Sequence, residues 1–118
     1  MKNPASLLDP EKPGVCPLTA PAPGVAHGIV SQAVLTAPGL RMTLFHFAAG
    51  QELSEHTSSA RALVQVLAGA CEFTYLGEGH ALKAGDLVHL PPGLPHAVRA
   101  VGDTTLLITQ ASPPAAGK

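Results

Sequence analysis

Gly85-Asp86-Leu87-Val88-His89-Leu90-Pro91-Pro92-Gly93-Leu94-Pro95-His96 is the stretch that decides the fold of this chain. Gly85-Asp86 is a common turn pairing, and glycine there supplies the positive φ of a tight hairpin. The short apolar run Leu87 to Leu90 then reads as a strand. Pro91-Pro92-Gly93 ends it: proline offers no N–H to a ladder and fixes φ, so the chain must leave the sheet and strike out in a new direction. His96 to Val101 resumes the extended pattern until Gly102-Asp103.

The same rhythm extends outward on both sides. Ile29 to Thr36 is stopped by Ala37-Pro38-Gly39, and Leu40 to Ala48 by Gly50. Arg61 to Leu67 stops at Gly69, Cys71 to Leu76 at Gly77-Glu78-Gly79, and His80 to Lys83 at Gly85-Asp86. Thr104 to Gln110 closes the body. Short Val-, Leu-, Thr- and Phe-rich runs with turns about every ten residues predict an all-β sandwich or barrel. Leu63-Val64-Gln65-Val66-Leu67 is apolar on both faces, which suits a strand covered on one side by the core and on the other by a partner sheet or subunit.

Six of the 12 prolines fall in residues 1–24, an arm that can be neither helix nor central strand. The expected organisation is therefore an arm at 1–24, a barrel at 25–111 and a frayed tail at 112–118. With 118 residues the chain is one domain and long enough to bury a core without staples. Its 7 Lys+Arg against 8 Asp+Glu give no basic stripe, which argues against nucleic acid as a partner. Charged residues are only 13% of the chain, and mean hydropathy is +0.25. So little charge against an ordinary ~25% predicts a surface shared with another subunit, a homodimer. No apolar run approaches the length of a membrane span or a signal segment, and two cysteines make no disulfide framework, so the expected compartment is the cytoplasm. Cys71, inside a strand with no neighbouring cation, reads as a buried apolar residue rather than a nucleophile.

Gly50, His56 six residues on, and Gly69 thirteen beyond it precede Gly85, Pro91, Gly93 and His96. In this order, on an all-β chain, they resemble the two motifs of the cupin family, G-x5-H-x-H-x3-E-x6-G and G-x5-P-x-G-x2-H-x3-N. The resemblance implies a jelly-roll of two antiparallel sheets closing into a small barrel. It places His56 and His96 inside, where cupins hold Fe, Mn, Ni or Zn through imidazole nitrogens. The departures carry equal weight. The family's second histidine falls at Ser58, its glutamate at Ala62 and its terminal asparagine at Ala100. Two imidazoles are fewer than the three or four protein ligands a metal site normally has.

Three side chains are candidates to complete the set. Gln65 is the only polar residue of the apolar run Ala62 to Leu67, though alternation puts it on the face opposite positions 62, 64 and 66. His46 and His89 sit where each could reach the mouth, or be hydrogen-bonded structural residues. His27 and His80 read as solvated. Arg61 and Arg99 are either rim residues or guides for an anionic substrate, and Asp86 belongs to its turn. Small residues at 58 and 62 also enlarge the cavity, so an organic ligand could sit beside His56 and His96. Metal-free cupin epimerases pair a histidine base with a Tyr acid, but the one tyrosine here is Tyr75 and no Asp accompanies either motif histidine. The readings that follow are a small metal-dependent oxygenase or isomerase, a metal-free binding or sensor module for a small molecule, or an assembly protein with a relict pocket.

Overall fold

The computed structural model describes residues 6–18 and 28–112. The rest of the proline-rich arm, His27, and residues 113–118 of the expected tail lie outside the described residues. Nine strands follow in order: β1 Ile29–Ala37, β2 Leu40–Phe47, β3 Glu52–His56, β4 Arg61–Ala68, β5 Ala70–Tyr75, β6 Glu78–Lys83, β7 Leu87–Leu90, β8 His96–Ala100 and β9 Thr104–Ala111. They form a five-stranded sheet in the order β1-β2-β9-β4-β7 and a four-stranded sheet in the order β3-β8-β5-β6, with every ladder antiparallel. The chain is all-β, as the turn spacing implied, and its two antiparallel sheets form the jelly-roll that the family resemblance implied.

Alternation builds the core. In β4, Ala62, Val64 and Val66 are buried while Arg61, Leu63 and Gln65 are exposed. Phe47, Leu90 and Leu106 extend this face along the same sheet, and Phe73 and Val98 close on it from the facing sheet. β9 is the centre of the larger sheet: it pairs with β2 from Phe47↔Thr104 to Leu40↔Ala111, and with β4 on its other side. Gly69 joins β4 to β5 at φ +87, and a Cβ there would lie 2.1 Å from the carbonyl oxygen of Asp103.

Two elements differ from the sequence reading. β3 was not foreseen, because Leu53 is its only apolar residue and the other four positions are exposed. It is held by its ladder to β8, with a bulge between Leu53 and His56. The turn placed at Gly77-Glu78-Gly79 is instead the two-residue pair Leu76-Gly77, at φ +52 and +77, the positive-φ pair of a type I′ hairpin. Glu78 and Gly79 join β6.

The arm segment 6–18 lies on the outer face of the larger sheet. Leu7 and Leu8 donate backbone N–H to Ala33 O (3.0 Å) and Val34 O (2.8 Å), at a bulge in β1. Leu8 and Cys16 pack against the buried trio Val34, Leu44 and Leu107. The chain's own arm thus covers β1, β2 and β9. Over β4 and β7, Leu63 and Leu87 stay 38% and 60% exposed.

Candidate functional site

The β3–β8 register sets His56 opposite His96, two side chains far apart in sequence. Their ring centroids are 4.3 Å apart, edge to face at 63°. His96 also stacks over Phe73. Both rings are pinned in one way: His56 Nδ1–H donates to Ser54 O at 2.8 Å, and His96 Nδ1–H to Leu94 O at 2.9 Å. A carbonyl only accepts, so each neutral ring carries its proton on Nδ1 and its lone pair on Nε2. Both imidazoles are fixed in tautomer and orientation before any ligand arrives.

The pair forms the polar end of a cavity of about 260 Å³ between the sheets. Phe45, Phe47, Phe73, Val64, Leu106 and Ile108 are among its apolar walls, and Thr57, Ser58 and Gln110 are its other polar side chains. Among the described residues no Asp, Glu, Lys or Arg lines it. The loop before β4 is clipped over the mouth. Gly93 N–H donates to Ser58 O at 2.8 Å, while Ala60 N–H (3.1 Å) and Gln110 Nε2–H (3.3 Å) both donate to Ser58 Oγ. Pro91-Pro92-Gly93 therefore returns the chain to this loop. Register arranges the mouth as two rows: His56, His96 and Tyr75 across the smaller sheet, and Gln110, Ala62 and Leu90 across the larger.

The sequence model of the Cupin domain matches residues 43–109, more than half of the chain. The chain belongs to the cupin family. Among solved structures, it is similar to a conserved protein of unknown function from Streptococcus pyogenes, at 31% identity over 75% of this chain and 77% of that one, with a TM-score of 0.70. A cupin superfamily protein from Desulfitobacterium hafniense shares 22% identity over 78% and 84%, with a TM-score of 0.74. Salicylate 1,2-dioxygenase from Pseudoaminobacter salicylatoxidans shares 22% identity over 71% of this chain and 26% of that one, with a TM-score of 0.68. At 22% the likeness is one of fold. No curated protein sequence matches the chain. Among the described residues no helix is long and apolar enough to cross a membrane.

Cupins commonly hold a transition metal, and the donors here test that. Ser58 Oγ is occupied by two donors and Ala62 offers a methyl group. Among the described residues no three of His, Cys, Asp and Glu converge as a metal would need. Two imidazoles fall short of the usual three or four protein ligands, so these residues do not by themselves complete a resident metal's shell.

The three further candidates lie elsewhere in this cupin, for reasons of alternation. Gln65 is exposed on the outer face of β4. His46 faces away from Phe45 and Phe47, and its Nδ1 lies 3.3 Å from Thr105 Oγ1. His89 is exposed and accepts from Arg61 Nη1 at 2.7 Å. Arg99 is spent on Glu72 at 3.4 Å, so neither arginine lines the cavity. His80, read as solvated, is instead half-buried and stacked on Tyr75 at 4.4 Å, with Nε2 buried and unbonded. Burial pushes the Cys71 thiol above its ordinary range, and the nearby Asp86 charge adds to this. It stays protonated at neutral pH and is no nucleophile. Gln110 is the lining residue that sequence reasoning missed. It ends the run Leu106, Ile108, Gln110 on one face of β9, and a polar residue closing an apolar alternation was the available signal.

Proposed function

We propose that this cupin binds a small, mainly apolar molecule in its barrel, with His56 and His96 as the polar recognition pair. The carrying observation is the matched pinning of both Nδ1–H groups, which leaves two preset Nε2 lone pairs at the end of a mainly apolar cavity with no charged residue among its described lining. An engineered cavity near 150 Å³ takes up benzene, so about 260 Å³ suits one substituted ring or a short branched chain. Each Nε2 accepts one hydrogen bond from a ligand O–H or N–H, which orients the molecule while the three Phe rings bury its body.

A thermal-shift screen of small ring compounds checks this. A true ligand raises Tm saturably, by roughly 10 °C at a hundredfold excess over Kd. His56→Ala and His96→Ala each weaken it about fivefold to tenfold, the worth of one hydrogen bond. No saturable ligand, or one indifferent to both substitutions, rejects the reading. A second reading follows from the same pinned rings: the pair holds a divalent metal whose other positions the ligand fills, as an oxygenase or isomerase would use. In that case EDTA abolishes the shift. In the direct reading EDTA leaves it unchanged.

We also propose that a second copy covers the outer face of β4 and β7. Leu63, Gln65 and Leu87 are uncharged, and the one charge on that face, Arg61, sits at its end and is bonded to His89, in a chain with only 13% charged residues. Light scattering at micromolar concentration is expected to give twice the chain mass, and a monomer there ends the idea. Two free thiols, Cys16 and Cys71, suit a reducing compartment such as the cytoplasm.

A further inference from the structure

A second cavity, of about 300 Å³, adjoins the first and is lined by Arg41, Thr36, Ser59 and Ser112 together with Ser58 and Gln110. The last two also line the barrel cavity, so the Gln110–Ser58 hydrogen bond is the partition between them. Arg41 pairs directly with Gln110 across the β2–β9 ladder, and two-residue alternation along β2 puts it on the face of Phe45 and Phe47. The row at the mouth of the larger sheet thus runs Arg41, Gln110, Ala62, Leu90. The ion pairs among the described residues are Lys83–Asp86 and Arg99–Glu72, and no hydrogen bond of the Arg41 guanidinium to a described residue accompanies them.

Among the described residues, therefore, the charge at this mouth is unbalanced. Where the cupin motif has a glutamate, this row has Ala62, one strand beyond Gln110. A planar guanidinium beside a carboxamide, with no carboxylate of its own, suits a planar anion supplied from outside. A single arginine matches a singly charged group better than a phosphate dianion. Directly opposed cross-strand side chains lie close enough to share one carboxylate.

We propose that Arg41 and Gln110 form a carboxylate subsite, and that the ligand is a small monocarboxylic acid. Its apolar body lies in the barrel toward His56 and His96, and its carboxylate takes Gln110 Nε2–H from Ser58. This inference rests on the barrel-binding reading and names its ligand class. Benzoate and its neutral counterpart benzyl alcohol, titrated at millimolar concentration into the ¹⁵N-labelled full chain by NMR, test it against Arg41→Gln. Arg41 is exposed, so the variant is expected to melt with the wild type. Benzoate is expected to bind the wild type and to lose roughly tenfold or more in affinity in Arg41→Gln, with benzyl alcohol unchanged. Equal benzoate binding by both proteins, or benzyl alcohol bound and benzoate refused, overturns the subsite and leaves barrel binding standing. If neither probe binds either protein, both readings fall.

Discussion

Gly69→Ala is expected to cost this protein a large part of its stability. The residue sits at φ +87, where a β-carbon is unfavourable by ~1–2 kcal/mol. The greater cost is steric. The added methyl would lie 2.1 Å from Asp103 O and 2.8 Å from Thr104 Cα, both backbone atoms at the start of β9. Thr104 cannot step aside cheaply, because its single Oγ1–H is shared between Ala70 O and Gly102 O and it is 1% exposed. Overpacking of ~1–3 kcal/mol adds to the loss of those bonds, against a total stability of ~5–15 kcal/mol. Gly77→Ala is the matched control: φ is +77, but nothing lies within 4 Å, so only the conformational cost applies. Urea unfolding of both should show Gly69→Ala worse by several kcal/mol. Equal midpoints would mean that the close approach at Gly69 does not constrain the fold.

Ser58→His combined with Ala62→Glu is expected to convert the pocket into a metal centre. Both positions line the cavity beside His56 and His96, and both restore the cupin ligand types. Without metal the variant should be less stable than the wild type. A carboxyl at position 62, now 5% exposed, is buried without a partner, and Gln110 loses its acceptor on Ser58. With Fe(II), Mn(II), Ni(II) or Zn(II) at a thousandfold excess over Kd, the variant should regain about 4 kcal/mol, and chelator should remove it. Elemental analysis after desalting should find near-stoichiometric metal in the variant and far less in the wild type. Near-stoichiometric metal in the wild type, lost in His56→Ala and His96→Ala, would show that a third donor exists and reverse the reading of the site.

Which parts of this were legible in the sequence follows from how each residue carries its information. Gly85, Pro91-Pro92-Gly93 and His96 act locally, through φ and a missing N–H, so spacing alone exposed the hairpins and the turn at the mouth. Positions 62, 64 and 66 obeyed strict alternation, which also put Gln65 outside. β3 was invisible because its pairing with β8, and not its own composition, keeps it extended. Gln110 and Arg41 were missed for another reason. Which face of β9 or β2 turns inward depends on register with strands distant in sequence, and no local signal states that register. His46 and His89 stayed open between the mouth and a hydrogen-bonded structural place on the same ground: an isolated histidine in an apolar strand looks the same on either face.

The place of β9 has a consequence for synthesis on the ribosome. It is the last of the nine strands to be made and the central one of five. Until Thr104–Ala111 emerges, β2 and β4 wait with open edges on either side of an empty slot, and the ladder that closes it links residues as far apart as Leu40 and Ala111. Such late, long-range pairing makes for slow folding and a nascent chain with sticky edges. The dangerous interval for this protein is the one before its final strand arrives, and a chaperone that holds nascent chains would act there.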